Sequence, residues 1–107
     1  MVSEQRRTPR YEFIADAEVT EVASKTKLIG RTSNLSVGGC FIEMLNPSPE
    51  GAGIRIKITH KDATFAAIAR VVFTVPNMGM GVTFTDIGLS ELVTLEKWLA
   101  AMTQSTD

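Results

Sequence analysis

The chain has 107 residues, of which 44% are hydrophobic and 21% are charged, and its formal net charge at pH 7 is −1. This length predicts a single domain that is able to bury a core without disulfides or a metal. The near-neutral charge excludes a uniformly basic protein that coats nucleic acid, because neutralising a phosphate backbone takes many cationic contacts. Any anion that the protein binds must therefore meet a local cluster of positive charge.

The N-terminus is polar from Ser3 to Arg10 and includes the stretch RRTPR, residues 6–10. Pro9 favours an extended conformation for the residue before it, and in an extended chain residues four apart point the same way. Arg6 and Arg10 therefore share a side, whereas Arg7 faces elsewhere. Two guanidinium groups on one side suit a ligand that carries phosphates or acceptor-rich edges such as O6 and N7 of guanine. A solvated basic tail is the alternative interpretation of this stretch alone.

A period of two runs through most of the following sequence and predicts about six strands. Apolar and polar residues alternate most clearly over 53–59, 65–75 and 80–84. Less regular alternation predicts three further strands over 15–22, 26–33 and 39–45. Short turns join these segments, which suggests a small antiparallel barrel or sandwich, and closure into a barrel would leave few strand edges bare.

The stretch SNLSVGGC, residues 33–40, is the second candidate for chemistry. Asn34 and Ser36 are two apart, so at the end of a strand they project from one face with an amide and a hydroxyl. Gly38 and Gly39 follow, and glycine permits close approach of a ligand to the backbone. Exposed N–H groups in such a turn are able to receive an anion. An ordinary Asx-type turn between strands is the alternative.

The spacing of apolar residues changes to that of a helix near the end of the chain. Apolar residues recur at helical spacing, with Trp98 on the adjoining side: Leu92, Leu95, Leu99 and Met102. Ser90 is predicted to be the N-cap. We expect the apolar stripe of this helix to pack on the barrel rather than to form a groove for a partner.

The side chains that most often carry catalysis are few. Cys40 is the single cysteine and His60 the single histidine, so the sequence cannot form an internal disulfide or a thiol-rich metal site. We expect Cys40 to be a small buried strand residue and His60 to be a solvated turn residue. No paired carboxylates at motif spacing and no phosphate-binding loop of the GK[ST] kind occur. The sequence therefore predicts a protein that is not an enzyme and that needs no metal or cofactor.

We expect residues 1–10 to form a flexible ligand-binding segment, and residues 11–107 to form one barrel with its C-terminal helix. No apolar run is long enough to cross a bilayer, and the N-terminus lacks the pattern of a signal peptide. These features predict a cytoplasmic protein without membrane insertion.

The two polar stretches together, in this order on a β-rich chain that ends in a helix, resemble the PilZ domain family of bacterial cyclic di-GMP receptors. The family pattern is RxxxR followed by (D/N)xSxxG, matched here by residues 6–10 and by NLSVGG, residues 34–39. A third similar feature is GMGVTF, residues 79–84. The resemblance extends from about Arg6 to Trp98, and it implies a six-stranded antiparallel β-barrel with a C-terminal α-helix packed against it.

The resemblance also implies a function, that of a receptor for cyclic di-GMP. Carried over to this sequence, Arg6 and Arg10 clamp guanine edges and phosphates, and Arg7 makes at most an auxiliary phosphate contact. In this comparison Gln5 stands where many family members carry a further arginine. That difference would weaken binding or alter the number of ligand molecules bound.

The second stretch supplies the other expected ligand contacts. By the same resemblance Asn34 hydrogen-bonds a guanine, and Ser36 contacts a phosphate or a base. Gly39, with Gly38 beside it, lets the backbone come close to the ligand. Ordering residues 1–10 over the dinucleotide would present a new surface to an unidentified downstream protein. We expect a monomer or a weak dimer that binds neither DNA nor RNA.

Two other classes of function compete with this interpretation. One is a PilZ-like interaction domain that does not bind nucleotide, although the retained motif residues count against it. The other is a small OB-like barrel for single-stranded nucleic acid, which needs exposed aromatic side chains in a basic groove. Strand alternation instead places Phe65, Phe73 and Phe84 on core faces.

Overall fold

A computed structural model of the chain describes residues 9–104, and these form six strands and one helix. The strands are β1 (Tyr11–Glu21), β2 (Lys27–Leu35), β3 (Gly39–Glu43), β4 (Gly53–His60), β5 (Ala63–Val75) and β6 (Gly79–Asp86), and helix α1 spans Leu89–Gln104. Neighbouring strands are antiparallel, and in the order β1-β2-β3-β6-β5-β4 they close into a barrel. The predicted six-stranded antiparallel barrel with a C-terminal helix is confirmed.

The core fills the barrel and follows directly from the alternation of the strands. In β4 the side chains of Ile54, Ile56 and Ile58 are buried, and the polar residues between them are exposed. β1 alternates as strictly through Phe13 to Val19, although its sequence pattern is less regular. Cys40 points into this core with 1% of its surface exposed, which confirms the expectation of a small buried strand residue.

Helix α1 packs on the barrel through Leu95 and Trp98, which are both buried. The Trp98 ring lies near the rings of Phe13 and Phe65, with centroids 5.1 Å and 6.3 Å away. The helix begins at Leu89, and Ser90 lies inside its first turn, so the predicted N-cap is wrong. Among the described residues, no helix is long and apolar enough to cross a membrane.

Two polar contacts attach the ends of α1 to the barrel. Near its start, the Glu91 carboxylate accepts a hydrogen bond of 2.7 Å from the backbone N–H of Ala66. Ala66 lies in β5 beyond Ile68, the last residue that pairs with β6, so Glu91 provides an acceptor where strand pairing has ended. Near its end, the hydroxyls of Thr103 and Tyr11 lie 3.2 Å apart, which joins the last turn to the start of β1.

His60 does not lie in a solvated turn, contrary to expectation. The β4–β5 connection is short, because His60 still pairs with Ala63, and Lys61 takes a positive φ of 56° in the turn. The imidazole is therefore the last side chain of β4. It packs against the rings of both Phe13 and Trp98, with centroids 4.6 Å and 5.8 Å away. This histidine belongs to an aromatic cluster at the end of the barrel.

The buried hydroxyl of Thr32 donates a hydrogen bond to the backbone at a β-bulge in β1. β1 pairs with β2 at Glu12–Asn34 and next at Ala15–Thr32, so β1 has one residue more than β2 between these pairs. Such an insertion disrupts the hydrogen-bond ladder locally. The Thr32 hydroxyl, fully buried, donates to the carbonyl oxygen of Phe13 at 2.6 Å. A side chain thus satisfies a backbone acceptor at the bulge.

We expect Thr32→Val to lower the free energy of unfolding by about 1–3 kcal/mol, because valine keeps the shape but leaves the Phe13 carbonyl buried without its donor. Urea denaturation measures the change. Thr59→Val, at an exposed position of β4, is the control, and it should change stability by less than about 0.5 kcal/mol. Equal effects of the two substitutions would contradict a stabilising role for the Thr32 hydroxyl.

Candidate ligand-binding site

The two polar stretches of the sequence meet where β1 begins and β2 ends. Arg10 immediately precedes Tyr11, which pairs with Leu35 at the end of β2. Nη1 of Arg10 donates a hydrogen bond of 3.4 Å to Oδ1 of Asn34. Arg10 is exposed and Asn34 is half-buried. Antiparallel pairing thus brings together two side chains that are 24 positions apart.

Arg6 and Arg7, which were also predicted to contact the ligand, lie outside the described residues, as does most of the segment 1–10. Their place in the site stays a prediction. Of the predicted arginine pair, the structure describes Arg10.

The amide of Asn34 is oriented by the neighbouring strand. β2 carries one extra residue between its pairs Thr32–Ile42 and Asn34–Phe41. At this bulge the backbone N–H of Phe41 donates to Oδ1 of Asn34 at 3.2 Å. Because Oδ1 accepts from both Phe41 and Arg10, the Nδ2 group remains to donate elsewhere. Arg10 and Asn34 together present hydrogen-bond donors, which suits a ligand rich in acceptors.

The hydroxyl of Ser36 is used inside the β2–β3 turn. Ser36 is 4% exposed, and its Oγ accepts from the backbone N–H of Gly38 at 3.2 Å. The same hydroxyl donates to the carbonyl of Gly39 at 3.3 Å, and the Ser36 backbone N–H reaches that carbonyl at 2.9 Å. These bonds are typical of a serine that shapes a turn. Contact between Ser36 and a ligand stays a prediction.

The two glycines of the turn have different surroundings. A Cβ atom on Gly39 would overlap the carbonyl oxygen of Val82 in β6, whereas one on Gly38 would meet nothing closer than the Ser36 hydroxyl at 4.0 Å. The Gly38 carbonyl accepts from the Phe84 N–H at 2.9 Å. Neither glycine has a positive φ. Gly39 is therefore required by the close approach of β3 to β6, and Gly38 is the more accessible of the two.

Cys40 lies behind the site, on the inner face of β3. Burial raises the pKa of its thiol to about 12, and the positive charge of Arg10 opposes that rise only in part. The thiol is therefore protonated at neutral pH and is a poor nucleophile. Within residues 9–104, no three or more His, Cys, Asp or Glu side chains are grouped so that they could hold a metal ion.

Two phenylalanines, the half-buried Phe41 and the exposed Phe73, form an aromatic pair beside Asn34. The rings of Phe41 and Phe73 are nearly parallel, with an interplanar angle of 29° and centroids 6.0 Å apart. Phe41 lies directly opposite Asn34 in the β2–β3 ladder. Phe73 is 43% exposed. The exposed part of this pair extends the candidate site with an apolar aromatic surface.

Phe73 was expected on the core face, and that prediction is wrong. β5 pairs with β6 at Val71–Val82 and then at Phe73–Gly81, so Val72 is an extra residue in β5. The bulge interrupts the period of two and shifts the alternation of the residues that follow it. Phe73 therefore lies on the outer surface.

Glycines of β6 make room for these rings. A Cβ atom on Gly81 would overlap the ring of Phe73, and one on Gly79 would come within 2.8 Å of the ring of Phe41. Both glycines belong to GMGVTF, residues 79–84. This stretch was identified from the sequence as similar to the family, but no role was assigned to it. The sequence signal for this arrangement was the presence of glycines at alternate positions of one strand. Glycines on the same face of a strand leave room for another side chain to pack against the backbone.

The fold is a closed six-stranded barrel with a helix packed on it, and an arginine–asparagine pair lies beside its β2–β3 turn. These features define a class of small β-barrel domains. The family model described as PilZ domain matches residues 4–101. The chain belongs to the PilZ domain family.

Solved structures share the fold at low sequence identity. The chain is similar to the PilZ domain of YcgR from Escherichia coli, described with c-di-GMP, with a TM-score of 0.78 and 15% identity over 96% of this chain and 95% of that one. It is similar to the inhibitor of motility MotI/DgrA of Bacillus subtilis, with a TM-score of 0.78 and 16% identity over 98% of this chain and 54% of that one. It is also similar to the PilZ domain of CeSA from a cellulose-synthesizing bacterium, with a TM-score of 0.70 and 18% identity over 89% of this chain and 98% of that one. No curated protein matches the chain.

We expect Gly39→Ala to lower the free energy of unfolding by about 1–3 kcal/mol, because the added methyl group is forced against the backbone of β6. Gly38→Ala is the matched control one residue away, and it should change stability by less than about 0.5 kcal/mol. Thermal and urea unfolding of the two variants compares them. Similar free energies of unfolding for the two variants would contradict the close packing of Gly39 against β6.

Proposed function

We propose that this protein is a cyclic di-GMP receptor that orders its N-terminal arginine segment over the dinucleotide and signals to a protein partner. The observation that carries the proposal is the hydrogen bond from Arg10 to Asn34. It joins the last arginine of RxxxR to the first residue of (D/N)xSxxG, as a shared ligand would require. Membership of the PilZ family supports it, as does a relative of the same fold that is described with c-di-GMP.

The donors of the site match the acceptors of this ligand. The Arg10 guanidinium has five N–H donors in a planar fork, which suits guanine O6 and N7 or two phosphate oxygens. The Asn34 amide, with Oδ1 already engaged, contributes its Nδ2 donors. We therefore assign Asn34 a contact to an acceptor on guanine or phosphate, rather than to the guanine N–H groups.

The aromatic pair offers a second kind of contact. A guanine base presents a flat π surface, and aromatic side chains bind such surfaces by stacking worth about 1–3 kcal/mol per base. Phe41 lies opposite Asn34 in the β2–β3 ladder, and the exposed ring of Phe73 packs against the Phe41 ring. We propose that one guanine stacks on this pair while Arg10 and Asn34 hold its edge or the adjoining phosphate.

Arg6 and Arg7 complete the proposed lid from the N-terminal side. Fixing ten residues costs on the order of 10 kcal/mol of backbone entropy, so several charge-assisted hydrogen bonds are needed to offset it. Binding in the micromolar range, roughly −8 kcal/mol, is the affinity that we expect. The ordered segment and the barrel face beneath it then form the surface that a partner recognises.

The proposed role is that of an adaptor rather than an enzyme. The His60 imidazole is packed among aromatic rings, and the Cys40 thiol is buried and protonated. We therefore expect neither side chain to act as a base or nucleophile on a ligand held at Arg10.

Isothermal titration with cyclic di-GMP tests the arginine assignment. We expect Arg10→Ala to weaken binding about tenfold or more, because charge-assisted hydrogen bonds contribute about 1.5–3 kcal/mol. Arg55→Ala, at an exposed arginine of β4, is the matched control and should bind like the wild type. Cyclic di-AMP and GTP test the selectivity.

Two results would oppose the proposal. Equal binding by Arg10→Ala and the wild type would remove Arg10 from the site. A flat titration of the wild type, with an unchanged melting temperature, would instead favour a PilZ-like interaction domain that does not bind nucleotide.

The stacking contact has its own test. We expect Phe73→Ala to weaken cyclic di-GMP binding about fivefold to a hundredfold, as the loss of one base–aromatic stack predicts. Phe73→Tyr keeps the ring and should retain most of the affinity. Val72→Ala removes part of the neighbouring exposed side chain and serves as the control. If Phe73→Ala binds as tightly as Val72→Ala, the ring does not contact the base.

A further inference from the structure

A cluster of exposed apolar side chains lies at the other end of β2 and β3, away from Asn34 and the β2–β3 turn. Ile29 in β2, Leu45 just after β3 and Met78 in the β5–β6 turn are 73%, 71% and 62% exposed. We call these three residues the apolar patch. The backbone N–H of Met44 donates to the Met78 carbonyl at 3.0 Å, which holds the segments together.

The apolar patch contains both projections and depressions. Its three side chains border a groove of about 430 Å³. A second groove of about 370 Å³, between Leu28 and Asn46, also includes Ile29 and Leu45 in its lining. Apolar side chains both project from this surface and line its grooves. The projecting side chains of one copy are therefore able to pack into the grooves of a second copy. An exposed apolar cluster with a polar border is typical of an interaction site.

The charges at the border of the patch are also self-complementary. Arg31 and Glu43 lie across the β2–β3 ladder with Nη2 and Oε1 3.8 Å apart, and their side chains are 61% and 47% exposed. An exposed pair of this kind contributes little stability, so exchanging partners costs little. In a two-fold dimer each residue contacts its counterpart reciprocally. Each Arg31 can then meet Glu43 of the other copy, which gives two equivalent pairs of opposite charge.

We propose that the apolar patch, bordered by Arg31 and Glu43, is the interface of a two-fold symmetric homodimer. A second copy fits better than a partner of strong single charge, because the border of the patch includes both a cation, Arg31, and an anion, Glu43. Three projecting side chains provide less than the roughly 800 Å² per partner that is usual in stable complexes. The dimer is therefore weak and depends on concentration. The proposal does not depend on the binding of cyclic di-GMP.

Analytical ultracentrifugation of the full chain over a range of concentrations tests the interface. We expect reversible dimerisation of the wild type, and Leu45→Asp should weaken it about tenfold or more, since a charge would be buried among apolar groups. Leu89→Asp introduces the same charge at a leucine of α1 that is 84% exposed, and it should associate like the wild type. A wild type that stays monomeric at high concentration, or a dimer that Leu45→Asp leaves unchanged, overturns the proposal.

Charge reversal tests the two-fold arrangement itself. Arg31→Glu and Glu43→Arg each place like charges across the interface, so each variant alone should associate more weakly than the wild type. In a mixture of the two variants, opposite charges face each other at both contacts of the mixed dimer. We expect the mixture to regain association. A mixture that associates no better than either variant alone rules out reciprocal pairing of these residues.

Discussion

The pairing of β3 with β6 is the interaction on which the rest of this structure depends. The strand order consists of two three-stranded meanders, β1-β2-β3 and β4-β5-β6, joined along β1–β4 and along β3–β6. Without the β3–β6 pairing the barrel would be an open sheet. Its glycines allow the backbones to approach closely, above all Gly39 against Val82. The candidate site lies along this seam, because Phe41 belongs to the first meander and Phe73 to the second. A ligand on both rings would bridge the two halves of the barrel.

The site also depends on departures from regular strand alternation. Where the period of two is intact, as in β4, alternate side chains fill the core and the others face solvent. At the bulges that period fails, and polar or aromatic side chains take positions that a regular ladder would not give them. The bulge before Asn34 lets its amide accept the Phe41 N–H, and the bulge at Val72 turns Phe73 outward. The bulges that interrupt the alternation of buried and exposed residues therefore also determine the orientation of the candidate site residues.

The sequence predicted the barrel, its helix and the burial of Cys40 because alternation and helical spacing are local signals that core packing reinforces. It did not predict the positions of Phe73 or His60, since bulges and hairpin length are determined by pairing with distant strands. Spacing alone also left the importance of Arg10 and Asn34 open. Their association came from the resemblance to a family, and the register of β1 on β2 explains it physically. Contact with a ligand stays a prediction for all of the candidate site residues, Arg10 and Asn34 included.

The proximity of Tyr11 to Thr103 has a consequence for the way this barrel is built into larger assemblies. Because the two hydroxyls lie 3.2 Å apart, the entry of the chain into the barrel and its exit from α1 are on the same side of the domain. Arg10 is next to Tyr11, so the candidate site is there too. Any polypeptide fused before Arg10 or after α1 therefore starts beside the candidate site. A structural change at the candidate site would lie next to both junctions. An insertion of this barrel into another protein would need only a short gap in the host chain.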